Sequence, residues 1–380
     1  MIIGIIGGGQ LSKMFIEEAN RWNVKCFYLD PSAYCSASIV NSNGIVGSLN
    51  DEESINLLAS KCDVLTFEIE NINVEALIKL ENSGKKIIPN ATTLKFIKDK
   101  GLQKLFYLKN NIPTSDFLIS DNAQDFLSKY NSIKSDKLVV KTRTGGYDGK
   151  GVIIIAKSEI GINNIPFDGE NVIIEECINF TKEISVITAR NQNGDISVFP
   201  PVEMEFDPKG NLVKFTYCPS SLSDIVSEKV KNVAIDSIVK MNGIGLFAVE
   251  MLLDVNDNVF VNEIAPRPHN SGHHTIQCCY TSQYEQLLRV LLNKPLGSTE
   301  IIKPGVMINI VGPEGFEGDY ELEGEDKVLQ TKGAYLHMYG KKVSRHFRKL
   351  GHVTIIDDDI DLLKQKSHEI EKLIKVIQKK

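Results

Sequence analysis

The feature that most restricts this chain is the alternation of strand and helix patterns over its first ninety or so residues. Met1-Ile-Ile-Gly-Ile-Ile leads into Gly7-Gly8-Gly9-Gln10 and then a helical pattern from about Leu11 to Asn20. VKCFYLD, CDVLTFEIE and KKIIP read as further strands; DEESINLLAS and NVEALIKLENSG read as the helices between them, the second ending at Gly84. Strands separated by helices pair in parallel, so a doubly wound domain is expected here. A length of 380 residues exceeds one ordinary core and implies two or three domains.

From about Ala91 the pattern changes. LKFIKDKGLQKLFYLKNN reads as one lysine-rich helix stopped by Ile112-Pro113. Short strands follow between Phe117 and Glu175, with TGGYDGKG in their middle, and longer hairpin-like strands begin after Ser185. SEKVKNVAIDSIVKM reads as a helix. Beyond Pro304, GVMINIVG, AYLHMYG and GHVTII suggest a small β-rich segment, closed by DLLKQKSHEIEKLIKVIQKK as an amphipathic helix. The net charge of -6 argues against a protein built to bind nucleic acid, which calls for a basic surface. Seven scattered cysteines without a C-x-x-C pair fit reduced thiols in a cytoplasmic protein. The opening apolar run ends in glycines and reads as a strand rather than a signal peptide. No apolar stretch approaches a membrane span, so a soluble protein with no membrane partner is expected.

Four stretches carry chemistry. The first is the loop at Gly7–Gln10, where a strand feeds glycines and then a helix N-terminus, a ready anion site. Asp30 ends the second strand, about where a dinucleotide-binding domain holds its ribose acid, which makes an NAD-dependent oxidoreductase the natural first alternative. Ser12 stands where the third glycine of that fingerprint belongs, and the glycines read equally as a simple turn. The second stretch follows Lys141: Gly145-Gly146-Tyr147-Asp148-Gly149-Lys150-Gly151 leads into the strand VIIIA, so it resembles a hairpin flap rather than a P-loop. A lysine on the entering strand and another in the loop favour polyphosphate over an ordinary turn.

The third is a hairpin. LFAVEMLLD and NVFVNEIAP flank Val255-Asn256-Asp257-Asn258, and folding about Asn256-Asp257 pairs residues whose numbers sum to 513, which sets Glu250 opposite Glu263. Two facing glutamates repel and raise each other's pKa unless a cation lies between them, and magnesium suits a few carboxylates plus phosphate oxygens. Asn262 is their neighbour, and Arg267, in the proline-bounded string Ala265-Pro-Arg-Pro-His269-Asn270-Ser-Gly-His-His274, is placed to stabilise charge developing in phosphoryl transfer. The histidines of that string suggest zinc only at first sight, because no cysteines join them, and substrate contact is the preferred reading. The fourth comprises the strand end at Glu175-Glu176-Cys177-Ile178 with Glu183 beyond it, and the late basic cluster of Lys341, Lys342, Arg345, His346, Arg348 and Lys349.

Together GGGQL, TFEIEN at 66–71, KTRTGGYDGKG at 141–151, the run from Glu175 to Val186, and NEIAPRPHNSGHHT resemble the 5-(carboxyamino)imidazole ribonucleotide synthetase family of ATP-grasp enzymes in purine biosynthesis, from Met1 to about Thr354. The resemblance implies a mixed α/β and α+β fold: a Rossmann-like domain over 1–97, a two-lobed ATP-grasp domain over 98–298 with a flap lobe at about 113–178, and a small β-rich domain over 299–380. It implies a carbon–nitrogen ligase in which ATP, with magnesium or manganese, phosphorylates bicarbonate to carboxyphosphate, and the acceptor is aminoimidazole ribonucleotide. Lys100 and Lys141 then contact ATP phosphates; Gly146, Tyr147, Asp148, Gly149, Lys150, Gly151 and Val152 form the flap; Glu175, Glu176, Cys177 and Ile178 hold adenine and Glu183 the ribose. Asn262 also belongs to the ATP site, Glu250 and Glu263 hold the metal, and Arg267 and Lys141 carry the catalytic roles. Gly9, Gln10, Leu11, Glu68, His269 and Asn270 hold the ribonucleotide, whose phosphate meets Lys342, Arg345, Arg348 or Lys349. A homodimer is the family's habit. Lys100 stands where relatives often have arginine, and the basic loop V-S-R-H-F-R-K-L-G-H is longer than theirs. A ligase using formate or an amino acid, and a regulatory protein that has lost catalysis, are the remaining alternatives.

Overall fold

The computed structural model describes residues 1–146, 151–208, 210 and 212–379. The amino-terminal sheet is five-stranded and wholly parallel, in the order Gly44–Val46, Cys26–Asp30, Ile3–Ile6, Val64–Phe67, Lys86–Ile87. Its central strands read as almost wholly apolar runs because helices cover both faces: Ile3–Ile6 and Val64–Phe67, with Thr66 the one polar side chain, are buried at every position.

The next unit is a four-stranded antiparallel sheet, ordered Phe117–Ser120, Val172–Glu176, Lys137–Thr142, Val152–Ala156. Beyond it lies a nine-stranded antiparallel sheet that runs Val259–Ala265, Gly245–Asp254, Phe180–Arg190, Val202–Asp207, Leu212–Cys218, Gly305–Val311, Lys349–Ile356, Ala334–Met338, with Ile196–Val198 paired to Phe180–Arg190. One face of its first strands packs on helix Asp224–Lys240 through Ile184, Val186, Phe247, Val249, Met251, Val261 and Ile264. The alternate residues of those strands face a cleft towards the four-stranded sheet.

Three local readings differ from expectation. The carboxyl-terminal strands do not build a sheet wholly apart: Gly305–Val311 pairs with Leu212–Cys218 and continues the large sheet. Its strands share a core with Phe215, Leu363 and Ile370. The lysine-rich segment is two helices, Ala91–Lys98 and Lys100–Lys109, because Asp99 leaves helical geometry and caps the second with bonds from Gly101 and Leu102 N–H at 2.8 and 3.1 Å. Arg143 holds Asp99 with Nε at 3.0 Å and Nη2 at 2.6 Å, so the break is anchored from the flap strand. The final helix stops at Leu373, and Lys375–Gln378 becomes a strand paired with Gly318–Glu323, the fate of a short segment with adjacent Val and Ile beside an open edge.

Candidate active site

The strands on either side of the flap, Lys137–Thr142 and Val152–Ala156, are antiparallel neighbours, with Lys141 opposite Val152. Gly146 and Val152 line the cleft, and Gly151 has a φ of +78°. Tyr147, Asp148, Gly149 and Lys150 lie outside the described residues.

Lys141, next to last in its strand, has Nζ 3.0 Å from Glu175 Oε1 and donates to Asn262 Oδ1 at 2.8 Å. The other oxygen of Glu175 meets Lys104 Nζ at 2.8 Å and accepts from Ser115 Oγ at 2.8 Å. Lys104, 2% exposed, also donates to Thr114 Oγ1 at 2.7 Å and Ser115 Oγ at 2.8 Å. Burial alone would raise the Glu175 carboxyl, but Lys141 and Lys104 outweigh it and hold the group at about 2. Burial pushes the Lys104 ammonium down from its ordinary value against the pull of Glu175. Glu175 therefore directs its side chain to lysines, and the rest of the segment expected at a base is made of the residues after it. There, Glu176 N–H bonds Asp116 O at 2.9 Å and Cys177 N–H bonds Lys137 O at 3.3 Å. Lys100 lines the same cleft.

Sequence reasoning missed Lys104 and the apolar walls of the cleft, Val139, Ile154, Phe206, Leu252 and Phe260. For Val139, Ile154 and Leu252 the signal was present, since each stands two residues from a residue assigned to the site and so shares its face of a strand. Lys104 gave none, because one lysine in a lysine-rich helix looks like any other.

Glu250 does face Glu263, but by a different route from the simple hairpin. The turn is one residue longer than expected: Asp254 N–H bonds Asn258 O at 3.1 Å, and Asp257 takes a φ of 59°. Met251, Leu252 and Leu253 consequently pair with Val261, Phe260 and Val259, one residue out of the expected register, and a bulge between Glu250 and Met251 restores it. The bulge has a consequence for chemistry. Val261 and Ile264 point into the core, while both Asn262 and Glu263 line the cleft, an outcome strict alternation forbids. Burial and the charges of Glu263 and Glu183 push the Glu250 carboxyl up to about 8, and burial pushes Glu183 to about 7 against Lys141. His269 Nε2 lies 3.2 Å from Glu250 Oε1, and its Nδ1 is 2.8 Å from Ser271 Oγ. Asn270 lines the cleft with 6% exposure, and neither atom of its side-chain amide has a hydrogen-bond partner among the described residues. His273 and His274 are fully buried away from it, so the substrate reading of the string reduces to His269 and Asn270. Among the described residues no group of three acidic, histidine or cysteine side chains is arranged to hold a metal.

Arg267 connects this cleft to the amino-terminal domain. Its Nε donates to Glu70 Oε1 at 2.8 Å, and its charge opposes the rise of both Glu250 and Glu68. The glycine loop is not an open anion site. Gly9 N–H donates to Glu68 Oε1, Ser12 N–H to Glu68 Oε2 at 2.8 Å, and Gly8 N–H to Asp30 Oδ2 at 2.9 Å. A Cβ on Gly9 would lie 2.5 Å from Glu68 Oε1, and Gly7, at φ +103°, would place one 2.6 Å from Glu68 Cγ. Burial holds Glu68 above the ordinary carboxylate range despite these two N–H donors. The amides a pyrophosphate needs are engaged by the protein's own carboxylates, which overturns the NAD-dependent oxidoreductase alternative. Gln10 opens the helix half-buried, and the Leu11 side chain belongs to the core.

The basic loop divides in two. Lys342 Nζ sits 3.7 Å from the ring centroid of Tyr34 in the amino-terminal domain, and Lys349 lines the cleft. Arg345 lies 3.8 Å from Glu317 on an exposed surface, and Arg348 donates to its own loop at Val343 O, 2.9 Å away.

A lysine and carboxylate cleft between a four-stranded lobe and a wide antiparallel sheet defines the ATP-grasp class, and residues 105–284 match the ATP-grasp domain model. Residues 1–98 match the ribonucleotide synthetase preATP-grasp domain and residues 305–366 the phosphoribosylaminoimidazole carboxylase C-terminal domain. The chain is 34% identical over 363 residues to N5-carboxyaminoimidazole ribonucleotide synthase of Bacillus subtilis, covering 95% of this chain and 92% of that protein. It is 38% identical over 365 residues to phosphoribosylaminoimidazole carboxylase of Candida glabrata, covering 93% of this chain but only 63% of the length of that relative. The N5-carboxyaminoimidazole ribonucleotide synthetase of Thermotoga maritima superposes with a TM-score of 0.90 at 38% identity, covering 100% of this chain and 99% of that one. The chain belongs to the N5-carboxyaminoimidazole ribonucleotide synthase family.

Proposed function

We propose that this protein carboxylates 5-aminoimidazole ribonucleotide with bicarbonate at the expense of ATP, releasing ADP and phosphate, in purine biosynthesis. The observation that carries the reading is one cleft in which Lys141 and the facing Glu250 and Glu263 converge, with Arg267, whose charge acts on Glu250, reaching Glu70 of the amino-terminal domain. A bicarbonate oxygen attacks the γ-phosphorus, ADP leaves, and carboxyphosphate forms. The exocyclic amine of the ribonucleotide then takes the carboxyl carbon, from carboxyphosphate or from CO2 released by it, and phosphate departs. Lys141 and Lys100 orient the phosphates, with Gly146, Gly151 and Val152 beside them. The apolar walls and the segment Glu176–Ile178 receive the base, and Glu183 the ribose. Arg267 balances charge on the transferring group, while His269, Asn270, Glu68 and the Gly9–Leu11 backbone hold the acceptor. Its phosphate is best placed to meet Lys342 or Lys349.

The residues present fit a divalent cation, because half-buried Glu250 and Glu263 face each other in the cleft and burial with mutual repulsion pushes Glu250 up, which a bound cation would relieve. When bound, magnesium or manganese would neutralise charge on the phosphoryl oxygens. The same reading carries a cytoplasmic homodimer, checked by fractionation and by light scattering.

The deciding assay measures phosphate release from Mg-ATP and bicarbonate with and without the ribonucleotide; release that ignores the ribonucleotide sinks the proposal. Glu263→Gln is expected to lower turnover at least about a thousandfold, the scale of losing a main electrostatic contribution to the transition state. Activity retained in that variant would show the carboxylate pair has another role.

A further inference from the structure

We propose that Lys104 is a positioning residue for the reaction: it holds Glu175 so that Lys141 keeps a net positive charge for the nucleotide phosphates. The inference rests on the proposed ATP reading of the cleft and adds to it a residue that touches no substrate.

A lysine that is 2% exposed requires a reason. Burying an ammonium is costly, and an apolar side chain of similar volume often serves stability as well or better. Lys104 is nonetheless bonded as a complete ammonium, with Thr114 Oγ1, Ser115 Oγ and Glu175 Oε2 all within 2.8 Å of Nζ. Its partners close a ring. Thr114 Oγ1 donates to Val261 O at 2.8 Å, Val261 N–H bonds Pro113 O at 2.7 Å, the next residue Asn262 accepts from Lys141, and Lys141 returns to Glu175. The ring ties the bulged strand of the wide sheet, the crossing segment at 113–115 and the small lobe into one fixed unit.

The charge balance explains why the ring contains two lysines. Lys141 and Glu175 alone make a neutral pair, whose ammonium is satisfied before any phosphate arrives. Lys104 engages the second oxygen of Glu175, so the three groups together carry one net positive charge. Lys104 borders the cleft but is 2% exposed with its three donors on Thr114, Ser115 and Glu175, whereas Lys141 meets Asn262 and Glu175 and is the one of the two able to turn to a phosphate. The charge of the buried lysine is therefore expressed through Lys141.

The test titrates the full-length protein with Mg-ADP, which does not react, and with adenosine, by calorimetry. Wild type, K104M and the double variant K104M/E175Q are compared. K104M is expected to weaken Mg-ADP binding roughly tenfold to a hundredfold, as loss of one nearby charge in a partly dry cleft implies, while adenosine binding is unchanged. The double variant restores one net positive charge and is expected to recover most of the lost affinity, a rescue that a merely structural lysine would not show. Equal Mg-ADP binding by wild type and K104M overturns the proposal, as does a folded double variant no better than K104M. If K104M does not fold, the double variant decides against wild type: similar binding supports the proposal and a large loss overturns it. Failure of the wild type to bind Mg-ADP is a separate result, which overturns the nucleotide reading and this proposal with it.

Discussion

Glu175 and Glu68 are both glutamates withdrawn from water beside a glycine-rich loop, and their surroundings drive them in opposite directions. Glu175 meets two ammonium groups and is held at about 2. Glu68 meets two backbone N–H groups at a helix start and remains above the ordinary carboxylate range. Partial charges at a helix N-terminus do not offset burial as two full charges do. The two glycine loops thus differ in kind. At the amino terminus the protein has filled its own anion site, whereas the group of Lys141, Lys104 and Glu175 carries one more positive charge than negative.

The comparison is tested most severely by Glu175→Gln, which strands two buried ammonium groups and is expected to cost about 3–5 kcal/mol of stability near neutral pH. The folded pKa lies below the unfolded one, so this contribution is present above the unfolded value and is lost as pH falls through about 2. Urea unfolding across pH should show the gap between wild type and variant closing from about pH 4.5 downward; a gap independent of pH would show that the lysines do not set the ionisation of Glu175. Glu68→Gln should cost less, about 1–3 kcal/mol, because one of two N–H donors loses its acceptor. Here the folded pKa is raised, so the stabilisation is full below the unfolded value and fades as pH rises through the folded one. Its penalty should therefore grow on acidification, and the same unfolding series would expose a shared slope if the contrast is false. The smallest effect is expected at the edge of the amino-terminal site. Tyr34→Leu removes the ring under Lys342 and should raise the KM for the ribonucleotide about two- to fivefold, with kcat little changed and Tyr34→Phe near wild type. An equal fall in kcat would place Tyr34 in the chemistry rather than at the phosphate.

Much of this was legible in the sequence wherever a cue is local. The parallel amino-terminal domain followed from alternating periods, the flap from its glycines between two strands, and the Glu250–Glu263 pair from counting around a turn. The turn itself held one more residue than the count allowed, and the compensating bulge cannot be counted from a sequence because it depends on which face each neighbour can bury. The same limit explains the break at Asp99, which reads as mid-helix until Arg143 is seen to hold it.

The sequence by itself determined the order of elements, the residue types available for phosphate and metal, and the family. Those depend on neighbours along the chain and on periodicity. Only the tertiary structure decided which charges meet: Lys141 with Asn262 across 121 residues, Ser115 with Glu175 across 60, and Arg267 with Glu70 across 197. It also decided that the first glycine loop is closed by Glu68 and Asp30. The physical reason is that the energy of a charge is set by burial and by the sum of nearby charges, and both are properties of the folded neighbourhood rather than of the segment.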